Sequence, residues 1–408
     1  MSTRSLFNYP PLNYIIFLSV FVRLTALFFY PDINNINLYE YGEIAANLHN
    51  GYGYSIHYFQ NENHISNSTS SEDIYPSAYM PPGYVYIVYL FSYFTNPLVV
   101  KILLLLFNVL VSIFILIFLF KLSDSLFSKQ TAVISVLIYA ILPEFIFANL
   151  SLTPTTVFHL SVLLILIYTQ KSYESGNKKD ALKLGIIFGI SILFRFELML
   201  LLFLLLIIFL TKKKVVTAAV ILSISILFLI PWISRNYITF HKIIPTTTSI
   251  GQNLYRGHNP YKIGVWADEK IVKEINSFKG DSQLEVRINN MFINYSLDFI
   301  LHNPEQEIVN SARKIFHLWI VNPIDERSFN LLYLIPWFLI LIFVIIGINS
   351  CFNLEKQKFI FLFLIYFTIT SVIFFALPRY QTMMKISLIP FASEGFVFLL
   401  KRFRLMYL

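Results

Sequence analysis

The stretch LVVKILLLLFNVLVSIFILIFLF, residues 98–120, decides the fold class. Lys101 is its only charged residue, and about 20 apolar residues are what a helix needs to cross a bilayer. Comparable runs lie near 13–30, 130–148, 156–170, 183–195, 198–211, 215–233, 329–350, 359–377 and 383–400. Of 408 residues, 56% are hydrophobic and 13% charged, where a soluble domain is about 25% charged. Mean hydropathy is +0.65. The expectation is an all-α polytopic membrane protein with about ten transmembrane helices and two large external loops. The run at 13–30 contains Arg23 and lacks a small-residue cleavage site, so it reads as a retained span.

The segments between the runs divide by charge. Lys121 and Lys129 flank one short connection, Lys171, Lys178, Lys179 and Lys183 crowd the next, and Lys212, Lys213 and Lys214 fill a third. Lys356 and Lys358 mark a fourth, and Lys401, Arg402 and Arg404 follow the final run. Residues 24–100 hold no lysine or arginine and six carboxylates. The positive-inside rule therefore predicts cytoplasmic termini and an external 31–97 loop. Residues 84–94 are too short to cross and read as a helix along the outer surface. Alternation makes 234–328 external too, helical around 271–278 and 306–316. The chain divides into a membrane module with its loop (1–233), a cap (234–328) and a second membrane module (329–408).

The net charge of +8 is not gathered on one soluble face, which excludes nucleic acid as a partner. A single cysteine, Cys351, excludes an internal disulfide. His49, His57 and His64 share the first loop with Glu62, Glu72 and Asp73, but with no helical i, i+4 pairing. No metal site and no cofactor is expected, a divalent ion being the minority alternative. The sequons at Asn67, Asn149 and Asn294 carry little weight.

The first loop opens with YEYGEIAANLHNGYGYS, residues 39–55. Tyr41, Ile44, Ala45 and Leu48 share an apolar helix face, while Glu40, Glu43 and Asn47 lie on an adjoining polar one. Gly51 and Gly53 stop the helix, because glycine enters the left-handed region freely. Residues 61–73 read as a disordered connection before AYMPPGY, 78–84. Three arginines stand near the loop-side ends of runs: Arg195, Arg235 and Arg379. Ionisable groups at membrane depth are functional by default, although snorkelling to the headgroups also explains each arginine taken singly. Guanidinium suits phosphate and a carboxylate suits proton abstraction from a hydroxyl. The combination predicts group transfer from a lipid-linked phosphate carrier.

At these residues the chain resembles the GT-C glycosyltransferases, in particular the bacterial family-39 group related to protein O-mannosyltransferases and aminoarabinose transferases. The segments that carry the resemblance are YEYGEIAANLHNGYGYS with AYMPPGYVYIVYLF, GISILFRFELML, PWISRNYITFHKIIPTTTSIGQNLYRGHNP and ALPRYQTMMKISLIP, in the family's order. The resemblance implies inverting transfer of a sugar from a polyprenyl-phosphate donor to a glycan, lipid or protein acceptor at the outer face of the cell membrane. It implies Glu40 as general base with Glu43 beside it, and Arg235, Arg379 and Arg195 on the donor phosphate. Tyr41, Tyr79, Pro82, Tyr84, Asn236, Tyr255, Asn259 and Tyr380 would line the substrate pocket. Two positions depart from the pattern. Asn37 and Leu38 stand where relatives carry an acid, and Thr153-Pro154-Thr155-Thr156 replaces a second acidic position. A non-catalytic scaffold of the same fold and a lipid-linked sugar transporter are the rival readings.

Overall fold

The computed structural model describes residues 9–29, 33–57, 74–94, 96–260, 264, 269–323, 325–375 and 377–403. α1 (Pro10–Phe28) leads into the first large loop, which contains α2 (Tyr39–His49), β1 (Ser55–His57), β2 (Ile74–Pro76) and α3 (Pro82–Phe91). The bundle continues with α4 (Pro97–Leu126), α5 (Lys129–Ile141), α6 (Pro143–Leu150), α7 (Thr155–Ser175), α8 (Lys178–Phe194), α9 (Leu198–Thr211) and α10 (Val215–Phe240). The second loop holds α11 (Ile250–Gly257), α12 (Glu269–Ser277), α13 (Leu284–His302) and α14 (Pro304–Trp319). The chain then returns to the bundle as α15 (Leu331–Cys351), α16 (Leu354–Ile373) and α17 (Pro378–Arg402).

The protein is a mainly α-helical, multi-pass membrane protein. All ten apolar runs form helices, which differ in length and in apolar character. Among the described residues, six helices are long and apolar enough to cross: α1, α4, α10, α15, α16 and Tyr380–Arg402 of α17. The run at 130–148 is two helices bent by 55°, and counting the pair as one span gives seven. α8 and α9, at 17 and 14 residues, are short, and α7 is interrupted by polar side chains such as His159 and Gln170. Leucine, isoleucine and phenylalanine side chains remain exposed on α10 and α15, among them Leu227, Ile230, Ile335 and Ile345. Such faces suit lipid tails.

The bend has an identifiable cause. Pro143 cannot donate to a preceding carbonyl, so α5 stops at Ile141 and a new helix begins. Its last carbonyls then lack intrahelical donors. Fully buried Arg23 supplies them, with Nη1 donating to Ala140 O at 3.1 Å and Nη2 to Tyr139 O at 3.2 Å. Its Nε donates to Asn149 Oδ1 at 3.0 Å, which buries that sequon asparagine. The arginine inside the first apolar run is thus a helix-break cap.

The first loop carries its own small core. Tyr41, Ile44, Ala45, Tyr84, Val85 and Val88 pack with Leu104, Leu152, Trp232 and Phe240. Gly51 and Gly53 take φ of +85° and +73°, as the stop after α2 requires. Asn47 corrects its placement on the polar face: it is buried, and its amide donates to Ser55 O at 3.0 Å. β1 and β2 pair antiparallel, Ile56 opposite Tyr75, a hairpin the all-α expectation omitted. The connection at 61–73, with His64, Glu62, Glu72, Asp73 and Asn67, lies outside the described residues. α3 does not lie free on the surface; it is wedged against α2 and α8, where a Cβ on Gly83 would sit 2.9 Å from Leu193 O. Both expected cap helices form, as α12 and α14, and α13 is added to them.

Candidate functional site

α2 begins under tension. Tyr39 has φ +51°, rare for a residue with a Cβ, and its N–H is held by Asn37 Oδ1 at 2.6 Å. Asn37 therefore shapes the entry to Glu40. The two carboxylates that share a face in the sequence go to different partners. Glu43 Oε1 accepts the His57 N–H at 2.7 Å and lies 2.8 Å from His57 Nδ1, pinning β1 to α2. The charge of Glu40 instead reaches Tyr79. The Tyr79 phenol is raised far above its ordinary pKa, first by burial and next by the charge of Glu40, with the Arg256 cation opposing. It stays a neutral donor, and its hydroxyl donates to Gln252 Oε1 on α11.

The arginines separate more sharply. Arg235 is bound on several sides: Nη1 donates to Ser77 O at 2.5 Å and to Asn236 Oδ1 at 3.0 Å, and Nη2 donates to Tyr54 O at 2.6 Å. Its guanidinium also lies over the rings of Tyr54, Trp232 and Phe240. Those N–H groups hold the first loop onto α10. Arg379 is the second residue of α17, at the same end of the bundle.

Arg195 caps α8 and pairs with Glu197 at 3.1 Å. Its guanidinium lies 5.8 Å from the centre of the Tyr380 ring. Tyr380 packs on Phe375 with centroids 5.9 Å apart, and Arg256 covers Phe375 at 4.6 Å. The order is guanidinium, ring, ring, guanidinium. A cavity of about 40 Å³ opens beside it, lined by Arg195, Glu197, Asn253, Tyr366, Phe375 and Tyr380. Arg195 Nε, Glu197 Oε2, Arg256 Nε and the Tyr366 hydroxyl are buried without a hydrogen-bond partner among the described residues. Unpaired buried donors of this kind are primed for a polar ligand.

Of the expected pocket residues, Tyr41, Tyr79 and Tyr380 reach this region. Tyr41 meets the buried Tyr84 edge-on at 5.1 Å, so Tyr84 supports it from behind. Pro82 starts α3 at its first turn, where proline's fixed φ is favourable. Asn236 donates to Ile244 O at 2.9 Å, and Asn259 donates to Tyr255 O at 2.9 Å. Tyr255 is buried against Phe292. These three brace the cap and do not line the cavity.

Sequence reasoning missed Arg256 and Glu285. Arg256 stands inside NLYRGHNP, and that placement was its signal. Glu285, buried on α13, accepts the Ala78 N–H at 2.6 Å and the Thr248 hydroxyl, strapping the cap onto the first loop. A second brace follows Arg256 directly. His258 Nδ1 lies 2.6 Å from Glu307 Oε2, its Nε2 lies 2.7 Å from Ile373 O, and Lys314 Nζ donates to Val372 O at 2.9 Å. Burial pushes Lys314 down to about 8, with Glu307 opposing. Among the described residues no group of three or more histidine, cysteine or carboxylate side chains could hold a metal ion.

A sequence profile of the dolichyl-phosphate-mannose-protein mannosyltransferase family matches residues 80–235, from Met80 within AYMPPGY to Arg235. No curated protein sequence matches the chain. Among solved structures, the Archaeoglobus fulgidus oligosaccharyltransferase in its apo form is similar at 13% identity and a TM-score of 0.56, over 97% of this chain and 51% of that one. AglB from the same organism, in complex with an inhibitory peptide and a dolichol-phosphate, gives 12% and 0.57 over 98% and 51%. The form tethered to an acceptor peptide containing the NVT sequon gives 12% and 0.58 over the same shares. The chain spans about half the length of these structures. Their likeness is one of fold.

Proposed function

From the mannosyltransferase-family profile over residues 80–235 and the fold shared with the oligosaccharyltransferases, we propose that the protein is a GT-C membrane glycosyltransferase that moves a sugar from a polyprenyl-phosphate donor to a hydroxyl acceptor. The observation that carries the reading is the run from Arg256 through Phe375 and Tyr380 to Arg195, beside a cavity whose buried polar atoms lack partners among the described residues. The Tyr79 phenol, raised first by burial and next by the charge of Glu40 and lowered by that of Arg256, ties Glu40 to this run. One side of this arrangement can take a proton and the other can hold an oxyanion.

In the proposed step Glu40 accepts the acceptor's hydroxyl proton as that oxygen attacks the anomeric carbon. The bond from this carbon to the carrier phosphate breaks with inversion. The released polyprenyl phosphate keeps the electron pair, and Arg195 and Arg256 stabilise its charge, with Arg379 placed on the same helix end as Tyr380. A guanidinium fork offers parallel donors to phosphate oxygens. The carrier's tail would lie against the lipid-suited helix faces. The lysine distribution supports a site on the outer side of the cell membrane, with both chain termini in the cytoplasm.

The test is direct. Purified full-length protein in lipid nanodiscs is given radiolabelled polyprenyl-phosphate hexoses and a crude envelope fraction. Label appearing in the acceptor fraction supports transfer. Donor binding without transfer to any fraction would favour the scaffold reading, and movement of intact donor across vesicles would favour transport.

A further inference from the structure

A second, larger cavity is lined by neither Arg195 nor Glu197. It has a volume of about 260 Å³ and lies among α6, the start of α7, α15 and the first turns of α17. One ordered water needs roughly 10–15 Å³ on this measure, so the space holds something much larger than a single water. Glu144 and Lys385 pair on its wall, with side chains only 4% and 2% exposed. Lys385 Nζ also sits 4.6 Å from the centre of the Trp337 ring, which lines the same space.

Only half of the Glu144 carboxylate is used. Oε2 takes the lysine, while Oε1 is buried with no hydrogen-bond partner among the described residues. Thr155 and Gln381 add hydroxyl and amide groups to the lining, and Tyr333 and Trp337 add aromatic rings. Because the ion pair is neutral overall, neither an anion nor a cation gains from entering. A phosphate would meet Glu144, and a metal ion would meet Lys385. What fits is an uncharged ligand that donates to Oε1 and lays carbon-bound hydrogens on an aromatic ring.

We propose that this cavity is a subsite for one neutral sugar ring, with a ring hydroxyl donating to Glu144 Oε1. The proposal deepens the glycosyltransferase reading and rests on it for the identity of the ligand. Thr153 and Thr155 line the same space as Glu144. The carboxylate comes from α6. The ring can belong to the lipid-linked donor or to the acceptor, and the two sources are separable.

The test measures binding to full-length protein in nanodiscs for three probes: prenyl phosphate without sugar, prenyl-phosphate hexose, and methyl hexosides. Two variants are compared, Glu144→Gln and Ala148→Leu, the latter narrowing the cavity while leaving the ion pair intact. The expected result is a tenfold or greater loss for one sugar-bearing probe in both variants, with sugar-free prenyl phosphate bound as in the wild type. Loss confined to the prenyl-phosphate hexose assigns the ring to the donor, and loss confined to the methyl hexoside assigns it to the acceptor. Wild-type affinity for every sugar probe in both variants overturns the subsite and leaves the transfer reading intact. An equal loss for sugar-free prenyl phosphate also overturns it, because the pair is then structural. If Glu144→Gln does not fold, Ala148→Leu decides alone. Wild-type protein that binds no sugar-bearing probe, and transfers none, overturns the function and the subsite together.

Discussion

Arg235 and Arg256 belong to consecutive helices at the loop-bearing end of the bundle, and their surroundings treat them in opposite ways. Around Arg235 the backbone converges: Ser77 and Tyr54 turn carbonyls toward it, and three rings enclose it. Around Arg256 the neighbours are a phenylalanine ring and a phenol that also feels Glu40, and Nε is left unpartnered. One guanidinium is occupied by the fold, and the other has capacity left for a ligand. With equal charge, an arginine becomes a strut or a ligand according to which carbonyls reach it.

The largest effect expected from this contrast is on stability. Arg235→Met removes charge-assisted hydrogen bonds to two backbone carbonyls and should destabilise the protein by about 3 kcal/mol or more. Thermal unfolding in detergent reads this as a clear fall in midpoint. An unchanged midpoint would erase the distinction between the two regions.

Arg256→Lys should behave in the other way. It keeps the charge and loses the fork, so affinity for sugar-free polyprenyl phosphate should fall about tenfold while the thermal midpoint stays close to wild type. A lowered midpoint with unaltered phosphate affinity would make Arg256 a second strut.

A smaller effect sharpens the account of how the cap meets the first loop. Glu285→Gln weakens acceptance from the Ala78 N–H and the Thr248 hydroxyl and should cost about 1 kcal/mol. Proteolytic nicking of the cap is the sensitive readout, and faster cleavage in 234–328 is expected. A cleavage rate equal to wild type would mean that the strap does not hold the cap.

These contrasts also explain what the sequence disclosed. Apolar runs and glycine stops depend on neighbours within a turn or two, so the helices, the end of α2 at Gly51 and the cap helices α12 and α14 were legible. Arg235 and Ser77 are separated by 158 positions, and no local pattern announces that a carbonyl will arrive there. Asn47 looked polar and exposed for the same reason, since its acceptor, Ser55 O, is positioned by a hairpin that the pattern did not reveal. Arg23 was visible as an anomaly in an apolar run, but its role as the cap of a broken helix needed the bend at Pro143. Glu40 and Glu43 were legible as a pair. Their division of labour was not, because His57 and Tyr79 come from separate later segments.

That division is the central claim, and one paired measurement tests it most directly: transfer from labelled polyprenyl-phosphate hexose by Glu40→Gln and Glu43→Gln, with donor binding and thermal midpoint recorded alongside. The account predicts that Glu40→Gln lowers turnover by about 10²-fold with donor binding and midpoint preserved. Glu43→Gln should lower the midpoint, through its lost carboxylate on His57, and keep most of the turnover. Normal turnover in Glu40→Gln, together with abolished turnover in a stable, donor-binding Glu43→Gln, would contradict it.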